Sequence, residues 1–142
     1  MPQASPPDNK RGVSYILCTM QITLQKPASL HVIRGYDAHR VRLPERELTE
    51  NFVLSADQLI ADWEPRSVAE LDATKLAPIL ALEPEVVLLA TGARAVFPRA
   101  ALRAEFGARA IGLEVMELGA ACRTFNVLVS EGRRAVLAVL FD

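Results

Sequence analysis

The sequence has few of the residues that most often carry chemistry, with two histidines, two cysteines and one tryptophan in 142 residues. A zinc site needs three or four clustered ligands, and no group of His, Cys, Asp or Glu side chains stands at ligand spacing. His31 and His39 do not lie near a serine or cysteine in a strained turn, so we expect no nucleophile–base triad. The sequence therefore indicates no catalytic residue, no metal and no other cofactor.

An excess of one charge and a long apolar run are also missing. The net charge is −1, with 16 basic and 17 acidic residues, which argues against a nucleic-acid partner. No apolar run approaches the roughly 20 residues of a membrane-spanning helix, so we expect no membrane insertion. Cys18 and Cys122 lie far apart, which predicts reduced thiols in a cytoplasmic protein, with Cys122 as a small core residue.

The length and the apolar content of 51% predict a single domain with a substantial core. Residues 1–12 contain three prolines and no apolar periodicity, and residues 13–19 form a short apolar run of the kind found in edge strands. We interpret residues 1–19 as a disordered tail or an extension without function. Residues 20–142 are then the single α/β domain.

The first half of that domain has a residue pattern typical of β-strands. Short alternating segments separated by turns predict an antiparallel β meander with one solvated face. These segments are residues 21–25, 30–34, 40–43 and 51–55, with a turn predicted at 35–37. Residues 57–63 are predicted to form a single helical turn, and Trp63 to anchor the core.

The second half alternates between helical and strand patterns. Apolar runs at residues 86–90 and 135–141 are typical of strands covered on both faces. Helices are predicted within residues 67–82, from 98 to about 107, and at 119–131, with a strand at 111–116. Asp72 or Thr74 is expected to cap the first helix, and Gly132 to end the last. This order predicts a β-α-β-α-β unit, right-handed crossovers and a mixed sheet with helices packed on it.

In such sheets, ligands bind beyond the carboxyl ends of the parallel strands. If the strands at 86–90 and 111–116 are parallel neighbours, the loops that follow them share one edge. Backbone N–H groups of Gly92 and Gly119, together with Arg94 and Arg123, would then hold an anion or a carboxylate. The alternative is that the two glycines only permit tight turns, because one glycine per loop is far from a phosphate-binding motif.

Three polar residues stand where the pattern is otherwise apolar. Asn126 is unfavourable inside a helix, so its amide either ties the helix to a neighbouring loop or lies at a binding surface. Glu114 interrupts a strand and Glu131 lies at a helix C-terminus, where a carboxylate is disfavoured. We expect at least one structural ion pair with the arginines at 94, 123, 133 and 134. A carboxylate pair for acid–base catalysis is the alternative, although no spacing specifies it.

Residues 114–140, EVMELGAACRTFNVLVSEGRRAVLAVL, resemble the C-terminal block of a family of small uncharacterised domains. The family includes the mitochondrial respiratory complex I assembly factor 3 proteins and the adipogenesis-associated domain protein. The matching residues are Glu114, Met116, Ala121, Arg123, Thr124, Asn126, Leu128, Glu131 and Arg133. Residues 86–98, VVLLATGARAVFP, are similar to the family's other diagnostic block. Two positions depart from the pattern: Leu118 stands where a Thr is expected, and Ala90 where a Gly is usual.

The resemblance covers roughly residues 20–142 and implies a three-layer α/β fold. In eukaryotic members it implies a role in assembling other proteins, with no settled catalytic activity. We therefore expect a non-enzymatic binding module, an assembly or scaffold factor that contacts another protein. The alternative is a small-molecule- or anion-binding α/β domain, or an enzyme, that uses the loop at 91–94. The candidate binding residues are Thr91, Gly92, Arg94, Arg123 and Asn126.

Overall fold

The computed structural model describes residues 31–141. The predicted tail at 1–19 and the predicted strand at 21–25 lie outside these residues. A short 3-10 helix, Val68–Glu70, precedes the first α-helix. The other elements, in chain order, are β1 Gly35–Asp37, β2 Arg40–Arg42, β3 Glu47–Leu48, β4 Phe52–Leu54, β5 Leu59–Ile60, α1 Ala73–Leu80, β6 Val86–Ala90, α2 Ala100–Ala108, β7 Gly112–Met116, α3 Leu118–Ser130 and β8 Ala135–Val139.

The central sheet has five strands in the order β5-β4-β8-β6-β7. Strand β6 pairs in parallel with both β7 and β8, whereas β4 is antiparallel to β8 and to β5. Every residue of β8 is buried, and so is nearly every residue of β6, as expected of parallel strands that are covered on both faces. The sheet is therefore mixed, and the β-α-β-α-β unit is confirmed.

The core lies in two layers because successive strand residues point to opposite faces of the sheet. On one face, Leu88 and Leu137 pack with Phe125 of α3 and with the meander β1-β2-β3. On the other face, Val87 and Val136 pack with α1 and α2. Trp63 is buried in that second layer, and its indole N–H donates to the carbonyl of Lys75. The three-layer α/β fold and the anchoring role of Trp63 are both confirmed.

Two helix ends follow the local signals in the sequence. Asp72 caps α1, and its carboxylate accepts the N–H of Lys75 at 2.9 Å. Gly132 follows α3 with φ of +78°, a left-handed conformation that glycine adopts without strain. Pro78 lies inside α1, beyond the first turn in which proline is usually tolerated. The neighbouring Ile79 is buried in the core, and this packing fixes the helix despite the missing hydrogen bond.

Three predictions for the first half were wrong. Residues 35–37, predicted as a turn, form β1 and pair with β2. The turn comes later, because the Asp37 carboxylate accepts the N–H of His39 at 2.9 Å. Residues 57–63, predicted as a helical turn, contain β5: the Ser55 hydroxyl accepts the N–H of Gln58 at 3.0 Å and closes a turn that returns the chain along β4. The segment 31–34 contains no strand.

The prediction of an ion pair for Glu114 or Glu131 was wrong, and two of the candidate arginines, Arg123 and Arg133, pair with other acidic residues. Glu114 and Glu131 are exposed, and neither forms an ion pair within residues 31–141. Glu114 lies on β7, an edge strand of the five-stranded sheet, so it needs no compensation. Instead Glu85 accepts from Arg133 Nε at 3.1 Å and from the Arg134 N–H at 2.9 Å. These contacts, led by the Arg134 N–H, lower the pKa of the Glu85 carboxyl.

Candidate binding surface at the strand ends

The carboxyl ends of β6 and β7 lie side by side, which meets the condition set for a shared edge. The two strands pair in parallel from Val86 opposite Gly112 to Ala90 opposite Met116. The chain segments that follow them are joined directly, because the N–H of Leu118 donates to the carbonyl of Gly92 at 2.9 Å. The loop after β6 and the start of α3 therefore form one continuous surface.

Thr91 shapes the loop after β6. Its side chain is buried, its hydroxyl donates to the Arg94 carbonyl at 2.6 Å, and its oxygen accepts the Val96 N–H at 2.8 Å. Gly92 has φ of +88°, which favours glycine. Arg94 is held at the tip of this fixed loop with its side chain exposed. The hydroxyl of Thr91 is thus engaged within the loop, whereas the guanidinium of Arg94 faces solvent.

The N-terminus of α3 is capped by Glu117, a residue that the sequence analysis missed. Its carboxylate accepts the N–H groups of Gly119 and Ala120. A carboxylate at this position also complements the positive end of the helix dipole. Glutamate is outside the usual set of capping residues, so the sequence carries little signal for this cap. Because Glu117 occupies the Gly119 donor, the anion-binding prediction loses one of its two backbone groups.

Arg123 connects α3 to β1 through Tyr36. Its Nη1 donates to the Tyr36 hydroxyl at 2.6 Å, and its Nη2 lies 3.9 Å from Oε1 of Glu117. Gly119 permits this approach, since a Cβ there would lie 2.9 Å from the Tyr36 ring. The Arg123 side chain nevertheless remains 65% exposed. Its guanidinium is oriented by two neighbours and still available to solvent.

A groove of about 180 Å³ lies between β1 and the two strand-end loops. Its lining residues are Tyr36, Asp37, Ala38, Gly92, Ala93, Glu117, Leu118 and Gly119. The carboxylates of Asp37 and Glu117 each have an arginine within 4 Å, Arg40 and Arg123 respectively. The pKa of Asp37 is lowered chiefly by the His39 N–H, with the charge of Arg40 adding to the effect. The groove is thus a largely apolar cleft with two carboxylates in its wall, and it is not a cationic cradle.

Asn126 ties α3 to the segment that leads into β1. Its Oδ1 accepts the Ile33 N–H at 3.0 Å, and its Nδ2 donates to the Ile33 carbonyl at 2.9 Å. Of the two readings drawn from the sequence, the tie to a neighbouring loop is the one that the structure contains. Asn126 is half-buried, and a direct role in binding stays a prediction.

In the part of the chain that the structure describes, the reactive side chains do not converge on this surface. Burial raises the pKa of the Cys122 thiol to about 12, with the charge of Glu117 adding to the effect, so the thiol is protonated at neutral pH. His31 Nδ1 lies 2.9 Å from the Ser55 carbonyl oxygen. Within residues 31–141, no cluster of His, Cys, Asp and Glu is arranged for a metal ion. None of the helices in this range is both long enough and apolar enough to cross a bilayer.

Residues 33–140 match the protein family described as "Protein of unknown function (DUF498/DUF598)". The chain belongs to this family. A zebrafish (Danio rerio) protein, NADH dehydrogenase (ubiquinone) 1 alpha subcomplex assembly factor 3, is 37% identical over 83 residues, which are 57% of this chain and 48% of the relative. The chain thus spans about half the length of that relative. The "13 kDa major membrane protein" of Francisella tularensis is 25% identical over 96 residues, 66% of this chain and 77% of that protein.

Solved structures with the same fold come from several bacteria. A Xanthomonas campestris protein superposes with a TM-score of 0.73 at 40% identity, covering 78% of this chain and 84% of its own. A Bordetella parapertussis protein gives 0.74 at 30% identity, covering 82% of this chain and all of its own. A Mth938-like domain of Bordetella pertussis, at 23% identity, shares the fold, with a TM-score of 0.70 over 87% of this chain and 93% of its own. The resemblance to the assembly factor 3 family is confirmed.

Proposed function

We propose that this protein is an assembly factor that binds another protein through its strand-end surface, without catalysing a reaction. The similarity to the zebrafish assembly factor, 37% over 83 residues, carries the proposal. The matched relative is about twice as long as the match, so the proposal concerns the shared domain. Binding would involve Gly92, Arg94 and Arg123 directly, with Thr91 and Asn126 holding the surface in shape.

The geometry of the two arginines supports this function. Arg94 lies on a loop that Thr91 closes with two hydrogen bonds, and Arg123 is oriented by Tyr36 and Glu117. Side chains presented from fixed backbone lose less conformational freedom when a partner binds. Arginine is also enriched among the residues that dominate interface energetics, because its planar head pairs while its stem covers apolar surface.

The second candidate function is binding of a small molecule in the groove next to the 91–94 loop. The groove itself favours this candidate, because it lies at the strand ends where ligands of α/β sheets collect. Its carboxylates, Asp37 and Glu117, suit a neutral or cationic molecule better than the anion that the glycines and arginines of the sequence indicated. A ligand bound there would shift the NMR signals of Gly92 and Gly119, whereas a protein partner would cover Arg94 and Arg123 as well.

Affinity capture from native lysate tests the first function. The full chain should capture a protein, and nuclease treatment should not change the yield. Arg94→Glu and Arg123→Glu should stay folded and lose capture, since each reverses a charge on the surface. Arg46→Glu is the matched control: Arg46 is exposed in the β2–β3 turn, at the end of β2 away from the groove.

Capture by both well-folded variants at the yield of the unchanged chain would contradict the proposal. Loss of capture in proportion to the unfolded fraction would instead make the two arginines structural.

We also propose a cytoplasmic location, following the cysteine usage, and fractionation of the native cells tests it.

A further inference from the structure

An exposed aromatic ring follows the strand-end loop. Phe97 is 62% exposed and its neighbour Val96 is 42% exposed, although large apolar residues usually find cover. Arg94 precedes them, and Arg99 and Arg103 follow, all with exposed side chains. We call these five residues the Phe97 patch.

The Phe97 patch is mounted on rigid structure. Thr91 accepts the Val96 N–H at 2.8 Å, which fixes the backbone directly before Phe97. Pro98, directly after it, is buried, and α2 begins two residues later. Leu102 and Phe106 anchor α2 in the core. The ring is therefore held out from a well-packed segment, and its exposure does not come from a loose chain end.

The arginines of the patch give it positive charge that no carboxylate within residues 31–141 pairs with. Within residues 31–141, Arg94, Arg99 and Arg103 form no ion pair, whereas Arg109 on the same helix pairs with Glu105 at 3.1 Å. Arg103 lies over the Phe97 ring, 5.8 Å from its centroid. In a chain with a net charge of −1, positive charge is thus concentrated around Phe97, the most exposed aromatic residue among residues 31–141.

We propose that the Phe97 patch docks an acidic segment of a partner protein, with an apolar side chain against Phe97 and Val96. Carboxylates of the segment would pair with Arg94, Arg99 and Arg103. This inference rests on the proposed function, since it names the chemistry of the protein partner. Charge complementarity selects an acidic segment, because like charges in an interface are strongly disfavoured. Arginine's planar head pairs with both oxygens of a carboxylate.

Two other occupants fit less well. Nucleic acid would contact three arginines at most here, and proteins that bind it normally carry a larger basic surface and a positive net charge. A second copy of this chain would bring its own acidic groups, such as Glu47 and Glu50, to the patch. In such head-to-tail contacts, one face of a copy binds a different face of the next copy. They build open chains of copies unless the rotation between neighbours closes a ring. Both occupants are outcomes of the experiment below.

Site-specific photocrosslinking tests the inference. Phe97 is replaced by p-benzoylphenylalanine in the full chain, and in a matched control the same probe replaces Arg46, which is exposed in the β2–β3 turn away from the groove. After irradiation in native lysate, the crosslinked peptide is sequenced. We expect the Phe97 probe to react with a peptide of net negative charge that contains an apolar residue at the crosslink. Reversing Arg94, Arg99 and Arg103 to Glu together should lower the yield at least about tenfold, because attraction becomes repulsion.

The results that overturn the inference are distinct. A crosslink to nucleic acid, to a second copy of the chain or to a peptide without net negative charge assigns the patch to another occupant. A yield at Phe97 no higher than at Arg46 shows that the patch is free. If the unchanged chain still captures a protein while the Phe97 probe fails, only the patch is wrong. If no protein is captured at all, the proposed function fails with it.

Discussion

Replacing Asn126 with alanine removes both hydrogen bonds between α3 and Ile33, at 3.0 and 2.9 Å. Ile33 is 6% exposed, so water only partly replaces the lost partners. A hydrogen bond contributes about 1 kcal/mol net, and a buried group left without a partner costs about 1–3 kcal/mol. Alanine recovers less than about 1 kcal/mol through helix propensity. We therefore expect Asn126→Ala to lower the free energy of unfolding by about 2–3 kcal/mol.

Urea denaturation, followed by the fluorescence of Trp63, measures this change. With an m-value of about 2 kcal/mol per molar urea, the midpoint should fall by roughly 1 M. Ser130→Ala is the matched control, because Ser130 is an exposed polar residue of the same helix, and its change should stay within about 0.5 kcal/mol. An Asn126→Ala midpoint equal to that of the control would refute the reasoning and leave Asn126 as a contact residue.

Phe125→Ala should cost about 3–5 kcal/mol in urea denaturation, because the ring is fully buried; a loss below about 1 kcal/mol contradicts the packing of α3. Gly119→Val should shift the NMR signals of Tyr36, which must move to admit a Cβ now 2.9 Å away; unshifted signals would disprove that contact. The Cys122 thiol, with its pKa raised to about 12, should resist iodoacetamide at pH 8 until the chain unfolds. Rapid labelling of Cys122 in the folded protein, located by peptide mapping, would contradict its burial. The pKa of Glu85 is lowered, so its stabilisation is complete above the ordinary carboxyl pKa and disappears as pH falls through the folded value. Glu85→Gln should remove that part of the acid dependence of stability, and an unchanged acid dependence would contradict the assignment.

The second half of the fold was predictable because its signals are local. The continuous apolar run at 86–90 matches β6 residue for residue, and the run at 135–141 contains β8. Asp72 and Gly132 mark helix ends through chemistry that acts within one turn of the chain. The shared edge of the two loops depended on the condition that these two strands are parallel neighbours, and β6 and β7 meet that condition.

The first half was less predictable because its strands have only two or three residues. Such strands are defined by their pairing with distant segments more than by their own composition. The residues 35–37 contain a glycine and an aspartate, which locally favour a turn, yet they pair along their whole length with β2. Residues 57–63 likewise owe their conformation to β4.

The binding surface depends on contacts between residues far apart in sequence. Tyr36 meets Arg123 across 87 residues, and Ile33 meets Asn126 across 93. No local pattern encodes either pair. The exposure of Phe97 is unpredictable from the sequence for a different reason, because the residue type alone does not show whether tertiary structure covers the side chain.

Hydrogen–deuterium exchange on the captured complex tests most directly whether the strand-end surface binds a protein. We compare the full chain alone with the same chain in the complex. The loop at 92–97 and the segment 117–123 should exchange more slowly in the complex, while the β2–β3 turn at 43–46 should be unchanged. Unaltered exchange at 92–97 and 117–123, with slower exchange at 43–46, would contradict the account.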